Sequence, residues 1–335
     1  MIDATVDATI TIDAVTQRTW DVVVIGAGPS GAVAALECAR IGNEVLLVDE
    51  GRLPRRKVCG CCLNRAALDV LDQVGLDDLV LNCGAKSLDS FVLASGSRQA
   101  RLSAKLGVSL SRERFDAALT RAAIAGGVSY LDRTRAMLNE PQGDIRVVRL
   151  RHDAKDKPVR ARVVVAATGL GRRISQDRQL DQSTTEVQSR IGAGAVLPSE
   201  RQRLLEHTIY MACHADGYVG LVRLEDGRLD VAAALDVEAV RRAGGLAAAA
   251  TEVIGASGLP IPRGIDAASW RGTARLTQRR HAAHGDRLFI IGDAAGYVEP
   301  FTGEGMAWAL ASAIAVAPFV SKSLEHGTGT TGPGW

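Results

Sequence analysis

The 335-residue chain is poor in aromatic side chains and has almost no excess charge of either sign. Aromatic residues make up 4% of the chain, which leaves few side chains for stacking on nucleobases. The formal net charge is +2, whereas a nucleic-acid-binding domain is usually strongly basic, so we expect no nucleic-acid partner. Hydrophobic residues at 47% and charged residues at 23% are typical of a globular protein, and the length predicts about two domains.

Signals for export and for membrane insertion are also scarce. The first twenty residues contain three aspartates and lack the basic segment and apolar run of a secretory signal. The longest apolar stretch, residues 306–320, is interrupted by Ser312 and is too short to span a bilayer. The 6 cysteines are irregularly spaced, which is typical of free thiols in a reducing compartment. We therefore expect a cytoplasmic protein without a transmembrane segment.

Glycine is abundant, at 35 of the 335 residues, and three glycines fall in one motif. Residues 21–25 form a β-branched run that predicts a buried strand. Residues 29–42 predict a helix and residues 44–49 a second strand, and the three elements together make a βαβ unit. The turn between the first strand and the helix reads Gly26-x-Gly28-x-x-Gly31. Such a turn brings backbone and a helix N-terminus against a pyrophosphate, so the motif predicts a dinucleotide site.

An acidic residue completes this motif at the end of the second strand. Asp49 follows the glycines by about twenty residues and is placed to accept hydrogen bonds from a ribose diol. Glu50 could take this role instead, although Asp49 lies closer to the strand end. The motif with its flanking strands is strong support for an adenine dinucleotide, but it does not distinguish NAD from FAD.

The rest of the chain predicts a second, β-rich unit. Helical periodicity occurs at 64–74 and 112–125, and short strands at 127–167. Alternating patterns between 191 and 240 predict a mostly antiparallel sheet, and residues 287–291 predict a buried strand before an apolar helix from 303 on. We predict an α/β fold with an α+β insert, in which a Rossmann-type dinucleotide-binding domain is formed by both ends of the chain and an antiparallel β-sheet forms a substrate domain. The expected division is an N-terminal extension at 1–19, the dinucleotide-binding domain at 20–86, 104–175 and 268–325, the substrate domain at 87–103 and 176–267, and a flexible tail at 326–335.

A second glycine-rich segment, GDAAGYVEPFTGEGMAWAL at 292–310, follows the predicted buried strand. It resembles the second FAD motif of the flavoprotein monooxygenase and geranylgeranyl reductase superfamily, the p-hydroxybenzoate-hydroxylase-like fold, whose relatives include halogenases. The resemblance implies that Asp293 contacts the ribityl chain and that Pro300, Gly303 and Gly305 line the isoalloxazine ring.

Three further segments match the same superfamily. Arg112 begins an Arg-x-x-Phe-Asp-x-x-Leu helix whose arginine is expected near FAD, Thr168-Gly169 corresponds to a turn beside the pyrophosphate, and Lys57-x-Cys59-Gly60 resembles the Cys-Gly-Gly of the reductase branch. The predicted FAD contacts are Gly26, Gly28, Pro29, Ser30, Gly31, Asp49, Glu50, Arg52, Lys57, Cys59, Gly60, Arg112, Thr168, Gly169, Gly292, Asp293, Pro300, Gly303, Glu304 and Gly305.

The sequence departs from these relatives in its substrate region and in the cysteine loop. The stretch that keeps Gly217 and Tyr218 lacks the tryptophan and proline of the reductase branch, and the halogenase Trp-x-Trp-x-Ile-Pro motif is absent. The last glycine of Cys-Gly-Gly is Cys61 here. Cys59 and Cys62 are spaced as a C-x-x-C, so they are either a redox-active dithiol, our only catalytic candidates, or small residues packed against the flavin. We expect no metal site.

The resemblance implies an FAD-dependent oxidoreductase with NAD(P)H as a transient reductant. The reduced flavin would deliver hydride to a double bond of a small or lipophilic organic substrate, or oxygenate it through a C4a-hydroperoxide. The alternatives are a flavin-dithiol oxidoreductase and a flavin-binding protein without turnover. Relatives carry a further helical segment after the second FAD motif, so we expect an open active site or one completed by a partner from a biosynthetic pathway.

Overall fold

The computed structural model describes residues 5–139, 142–175, 181–199, 204–299 and 301–325. Two large sheets and a small one are connected by seven α-helices among these residues. The helices are α1 (Pro29–Arg40), α2 (Arg65–Gln73), α3 (Leu79–Asn82), α4 (Arg112–Ala125), α5 (Val237–Ala243), α6 (Leu246–Ala256) and α7 (Gly305–Glu325).

The first sheet has eight strands, and its central strands are parallel. In chain order the strands are β1 (Thr19–Ile25), β2 (Val45–Val48), β6 (Ser129–Leu131), β7 (Thr134–Leu138), β8 (Arg146–His152), β9 (Lys155–Ala166), β17 (His284–Gly285) and β18 (Leu288–Ile290). The central order β18-β9-β1-β2-β6 is parallel throughout. Val22, Val23 and Val24 of β1 are fully buried, as expected for a strand covered on both faces. The predicted βαβ unit and the pairing of both chain ends in one sheet are confirmed.

The second sheet contains the strands predicted between 191 and 240 together with a long hairpin. Its strands are β3 (Cys62–Leu63), β4 (Lys86–Ser95), β5 (Arg98–Ser109), β11 (Ile191–Leu197), β12 (Thr208–His214), β13 (Gly217–Arg223), β14 (Leu229–Leu235) and β15 (Arg271–Arg275). All neighbours are antiparallel except β4 and β12, which are parallel. Helix α6 covers one face and buries Val253 and Ile254 against it. The predicted antiparallel sheet is therefore present, with one parallel pair.

A third sheet was not expected from the sequence. It consists of β10 (Ser183–Thr185), β16 (Gln278–Arg280) and β19 (Gly296–Tyr297), all antiparallel. Strands of two or three residues are too short to show a periodic pattern, so the sequence gives no sign of them. In this sheet β19, which belongs to the second glycine-rich segment, pairs with β16.

Two predicted domain boundaries fall inside or before strands of the second sheet. The boundary at 103 lies within β5, and the segment from 268 on, assigned to the dinucleotide-binding domain, begins with β15. The N-terminal extension is packed rather than separate in its described part, because Val6 and Val15 are buried and Val6 bridges to Leu53. The predicted tail at 326–335 lies outside the described residues, and the division into domains remains a prediction.

Helix α7 is longer than the apolar run at 306–320, whose length predicts no membrane span. Within the described residues it is the one helix whose length and composition would allow it to cross a membrane, and 33% of its most apolar window is buried. Leu310, Val316 and Val320 are fully buried in the core between α1 and α2. A core helix of a soluble protein passes the same test, so this helix is weak support for a membrane location.

Candidate functional site

The glycine turn between β1 and α1 has room for a ligand at one glycine and none at the other two. Gly26 has φ +107, and a Cβ there would lie 2.3 Å from the carbonyl oxygen of Ala167. A Cβ at Gly31 would lie 1.8 Å from the Gly26 carbonyl oxygen, so strand and helix pack closely at this point. At Gly28 the nearest atom to such a Cβ is Arg112 Nη2 at 3.9 Å. Gly26 and Gly31 are thus required by the fold, whereas Gly28 faces free space.

The start of α1 also connects the two glycine-rich segments. Pro29 is at the first helical position, where its missing N–H has no cost. Ser30 Oγ lies 3.4 Å from Ser312 Oγ of α7, and Ser312 Oγ accepts a hydrogen bond from the Gly292 N–H at 3.0 Å. In the sequence, Ser312 is recognisable only as an interruption of an apolar run. In the structure it joins the helix N-terminus to the second FAD motif.

Asp49 is buried at the end of β2 and is engaged by donors of its own chain. Its two oxygens accept from the Ala27 N–H at 2.7 Å and the Gly51 N–H at 2.7 Å. Arg55 donates to both oxygens, with Nη2 at 2.7 Å from Oδ2. These bonds occupy about all the acceptor positions of a carboxylate, so a ribose diol would have to displace Arg55.

The neighbouring acidic and basic residues are more exposed. Glu50 pairs with Arg172, which leaves it at the rim of the turn. Arg52 pairs with Asp7 at 3.3 Å, and both side chains are mostly exposed. Neither residue is held as firmly as Asp49, so the choice of ribose partner between Asp49 and Glu50 stays a prediction.

Arg112 lies where α4 begins, beside the glycine turn. Its Nε and Nη2 donate to the two carboxylate oxygens of Asp116 at 2.7 and 2.8 Å, and Asp116 is fully buried. Arg112 is predicted to lie near FAD, and its guanidinium lies close to Gly28 of the predicted pyrophosphate turn.

Thr168 and Gly169 follow β9 at the same edge of the sheet. The Thr168 hydroxyl is buried and has no hydrogen-bond partner in the described part of the protein. Gly169 has φ +81, in the left-handed region that favours glycine, and a Cβ there would meet no atom within 4 Å. An unpartnered buried hydroxyl beside open backbone is what a bound pyrophosphate or flavin would satisfy.

The second glycine-rich segment places a carboxyl group close to these residues. Gly292 has φ +59 and precedes Asp293. Burial raises the pKa of Asp293 to about 6, although the charge of Arg112 acts in the opposite direction. Gly303 has φ +82, and the hydroxyl of Thr302 donates to Glu304. Pro300 lies outside the described residues, so its predicted contact remains a prediction.

The loop after β2 brings three cysteines next to Arg112. The Cys61 N–H points at Cys59 Sγ at 3.4 Å, and the Cys62 thiol donates to the Gly60 carbonyl oxygen at 3.1 Å. The hydrogen bond with Cys61, together with the positive charge of Arg112, lowers the pKa of Cys59 to about 6. Burial raises the pKa of Cys62 well above its ordinary value. Of these two thiols, Cys59 is therefore the more readily ionised.

Lys57 lies in the same loop; the residue is exposed, although its ammonium group is partly desolvated. This desolvation lowers the pKa of the ammonium group, and the positive charge of Arg55 adds to that effect. Lys57 and Cys59 line one small pocket whose far wall is formed by strands β11 and β14 of the second sheet. The predicted cofactor side and the predicted substrate side therefore meet at this loop.

Three aromatic side chains gather near the second motif although the chain has few of them. Tyr218 and Phe301 make an edge-to-face contact with ring centroids 5.0 Å apart. Tyr297 lies against Gly305, and burial raises the pKa of its phenol. Arg190 lies over the Tyr218 ring at 6.0 Å and pairs with Glu299 at 3.0 Å. In the sequence, Tyr218 is recognisable only as a remnant of a family pattern, and nothing there connects it with Phe301.

These observations define a dinucleotide-binding flavoprotein fold whose residues fit FAD. The residues suited to hold it are a glycine turn at a helix N-terminus, an orphaned buried hydroxyl at Thr168, and a half-buried carboxyl at Asp293. Among the described residues, no group of three or more His, Cys, Asp or Glu side chains could hold a metal ion.

The chain belongs to the FAD-binding domain family, whose profile matches residues 19–329. The predicted resemblance to the p-hydroxybenzoate-hydroxylase-like superfamily is thereby confirmed, as are the fold class and FAD as the cofactor. Its relatives by sequence include reductases, and flavin-dependent halogenases share its fold.

Several characterised proteins are similar to most of the chain. It is 27% identical to conditioned medium factor receptor 1 of Dictyostelium discoideum, over 92% of this chain and 65% of that protein. It is 26% identical to digeranylgeranylglycerophospholipid reductase 2 of Methanosphaera stadtmanae, over 92% of this chain and 79% of that protein. A segment of 56 residues, 17% of this chain and 14% of the relative, is 50% identical to menaquinone reductase of Mycobacterium tuberculosis.

Solved structures agree on the fold. The flavin-dependent halogenase CmlS superposes with a TM-score of 0.77 at 22% identity, over 93% of this chain and 60% of that one. A flavoprotein/dehydrogenase from Cytophaga hutchinsonii superposes with a TM-score of 0.78 at 20% identity, over 91% and 79% of the two chains. At this identity the likeness concerns the fold alone.

Proposed function

We propose that the protein is an FAD-dependent reductase that uses NAD(P)H to saturate a carbon–carbon double bond in a lipophilic substrate. The observation that carries this proposal is the position of Cys59, whose sulfur accepts from the Cys61 N–H at 3.4 Å and which lines a pocket between the cysteine loop and strands β11 and β14 of the second sheet. Adding hydrogen across a double bond needs a hydride and a proton, and in this proposal Cys59 takes up a proton from solvent and then hands it to the substrate. The 26% identity to a digeranylgeranylglycerophospholipid reductase, over 92% of this chain and 79% of that protein, agrees with this choice.

When bound, FAD would take a hydride from the nicotinamide and supply it to the substrate. The residues of the chain would bind and orient the FAD and shield it from water. The α1 N-terminus with Gly28 would face the pyrophosphate, Thr168 would donate to it, and Asp293 would meet the ribityl hydroxyls. Arg112, fixed by Asp116, holds a positive charge beside Cys59 and so keeps its sulfur in place.

The aromatic cluster supports a lipophilic substrate. Tyr218 and Phe301 join the second sheet to the second FAD motif, and Phe301 is 40% exposed. Trp308 at the start of α7 is 49% exposed. Exposed aromatic surface next to a cofactor site would give an isoprenoid or other apolar chain a place to lie.

The test is anaerobic reoxidation of the NADPH-reduced, FAD-loaded protein. A polyprenyl quinone or a geranylgeranyl lipid in detergent should restore the oxidised flavin spectrum without oxygen. Saturated analogues of the same lipids serve as controls and should not restore it. If oxygen alone restores the spectrum, and a hydroxylated product forms, the monooxygenase branch is correct instead.

The dithiol oxidoreductase is the second candidate, and it requires both Cys59 and Cys62. The Cys62 thiol donates to Gly60, and its raised pKa makes it a poor nucleophile. We expect Cys62→Ser to keep flavin reduction and turnover within about twofold, whereas Cys59→Ser loses turnover. Equal losses in both variants would favour the dithiol enzyme. A cytoplasmic location and a partner that completes the site remain expectations.

A further inference from the structure

A segment before β1 packs against the loop that is predicted to hold the ribose. Residues 6–15, here called the N-terminal strap, precede the part of the chain that matches the family profile. The Val6 N–H donates to the Leu53 carbonyl oxygen at 3.1 Å, and both side chains are buried in the core shared with α1 and α7. Leu53 lies two residues before Arg55, whose guanidinium holds both carboxylate oxygens of Asp49. The strap is therefore attached directly to the loop that carries the Asp49–Arg55 pair.

The strap is also attached to β6, the outer strand on this side of the first sheet. The Thr9 N–H donates to the Tyr130 carbonyl oxygen at 2.9 Å, and the Tyr130 N–H donates back to Thr9 Oγ1 at 2.8 Å. The next residue of β6, Leu131, accepts from the Asp49 N–H at 3.0 Å. The strap thus pairs backbone groups that an edge strand would otherwise leave open, and it contacts both elements that position Asp49.

The far end of the strap is anchored in a different core. Ile12 and Val15 are buried among side chains of the second core cluster, which lies on the other face of the sheet. The Val15 carbonyl oxygen accepts from the Trp20 indole N–H at 3.0 Å, and Asp13 pairs with Lys155 at 2.6 Å. Residues 7–9 are exposed, so the half of the strap nearest the ribose loop has fewer buried contacts and opens first.

Two buried polar atoms near Asp49 have no hydrogen-bond partner among the residues that the structure describes. They are Arg55 Nε and the hydroxyl oxygen of Tyr130. Burial raises the pKa of the Tyr130 phenol, and the negative charge of Asp49 adds to that effect, so the hydroxyl keeps its proton and can donate. Buried polar groups in proteins are almost always paired, so these two atoms mark a place for a polar group of a ligand. A ribose hydroxyl is the polar group predicted at this position.

We propose that the N-terminal strap is part of the FAD site and sets the rate at which the cofactor leaves. Val6 and Thr9 are positioning residues, because they hold the loop and β6 rather than the cofactor. Release of the ribose requires the loop of Asp49 and Arg55 to move, and the loop moves when the strap opens. The linkage is reciprocal, so bound FAD in turn keeps the strap closed. This role concerns the cofactor and does not depend on which substrate the flavin reduces.

The first test measures FAD release from the loaded protein, followed by flavin fluorescence after dilution. Val6→Ala and Thr9→Val should each release FAD about tenfold faster, since each loses a contact that holds the loop. Thr11→Val is the matched control, because its hydroxyl also accepts a backbone N–H, that of Ala14 at 3.2 Å, but within the strap. Ser257→Ala removes a buried hydrogen bond at the end of α6 and controls for loss of stability alone. Both controls should stay within about twofold of wild type, and equal rates in strap and control variants would overturn the proposal.

The second test uses the wild type, so it decides the matter even where a strap variant does not fold. Hydrogen–deuterium exchange is measured residue by residue with and without FAD. The N–H groups of Val6 and Thr9 should exchange about tenfold more slowly when FAD is bound. The Gly244 N–H, which donates to the Arg241 carbonyl oxygen at 3.2 Å at the exposed end of α5, is the control and should change by less than about twofold. Equal exchange at Val6 and Thr9 with and without FAD would overturn the proposal. Neither test uses a lipid or NADPH, so failure to reduce any lipid would reject the proposed function without altering these two results.

Discussion

Arg112 and Asp116 form a bidentate ion pair, with Nε and Nη2 of the arginine at 2.7 and 2.8 Å from the two carboxylate oxygens. The pair lies one helical turn apart on α4, and Asp116 is completely buried. It fixes the guanidinium that faces both Gly28 and Cys59. The cofactor turn and the lowered pKa of Cys59 therefore depend on the same arginine.

Asp116→Asn should destabilise the FAD-free protein by about 3 kcal/mol, because removing one partner leaves a buried charge without its counterion. Urea unfolding measures the change. The control is Asp156→Asn, which breaks an exposed pair with Arg149 at 3.5 Å and should cost less than about 0.5 kcal/mol. Losses of similar size in the two variants would mean that the buried pair has no special role.

Gly28 and Gly31 should respond differently to alanine. A Cβ fits at Gly28, which has an extended backbone, but it would stand in the predicted pyrophosphate position. Gly28→Ala should keep its stability and lose FAD affinity by at least about tenfold, or ~1.4 kcal/mol. Gly31→Ala should lose about 3 kcal/mol of stability, because its Cβ would collide with a backbone oxygen. Urea unfolding of both variants measures the stability, and flavin titration measures the affinity for FAD. Normal FAD binding by Gly28→Ala would contradict the placement of the pyrophosphate at Gly28.

Thr168→Val should separate stability from cofactor binding. The hydroxyl has no partner in the FAD-free protein, so a methyl group in its place should leave stability unchanged or raise it by up to about 1 kcal/mol. FAD affinity should fall about fivefold, as expected for one lost hydrogen bond of about 1 kcal/mol. In the control Thr120→Val, the lost hydroxyl donates to the Asp116 carbonyl at 2.9 Å, and stability should fall. Unaltered FAD affinity in Thr168→Val would remove Thr168 from the site.

Asp293 should make the FAD-free protein less stable as the pH rises from about 4 to about 6. Its pKa is raised from 3.8 to about 6, so over this interval the unfolded chain releases a proton that the folded protein keeps. The free energy of unfolding should therefore fall by about 3 kcal/mol across the interval and stay low above it. Asp293→Asn should flatten this dependence. The difference between wild type and variant in urea unfolding at each pH is the measurement, and parallel curves would show that Asp293 is not buried as a neutral acid.

The sequence was sufficient for the parts of the site that depend on local pattern. The β-branched run before Gly26, the spacing to Gly31 and the apolar periodicity of 112–125 are properties of neighbouring residues, and the structure has these elements where they were expected. The strands between 191 and 240 were recognisable for the same reason.

The missed features depend on contacts between residues far apart in the chain. The sequence suggests Asp49 for a ribose, but nothing in it indicates that Arg55 folds back onto the carboxylate. Asp230 looks like an ordinary residue of an alternating strand, and only the packing of β14 against the cysteine loop makes its carboxyl unusual. Ser312 likewise acquires its role from the approach of α7 to α1.

The most direct test of the central claim is the identity of the product formed by the reduced protein in the absence of oxygen. The FAD-loaded protein is reduced with one equivalent of NADPH in deuterated water and mixed anaerobically with a polyprenyl quinone or a geranylgeranyl lipid. We predict one saturated double bond per flavin reoxidised, with one deuterium from solvent at the protonated carbon. A substrate recovered unchanged beside fully reduced flavin, with turnover only after oxygen is admitted, would contradict the account.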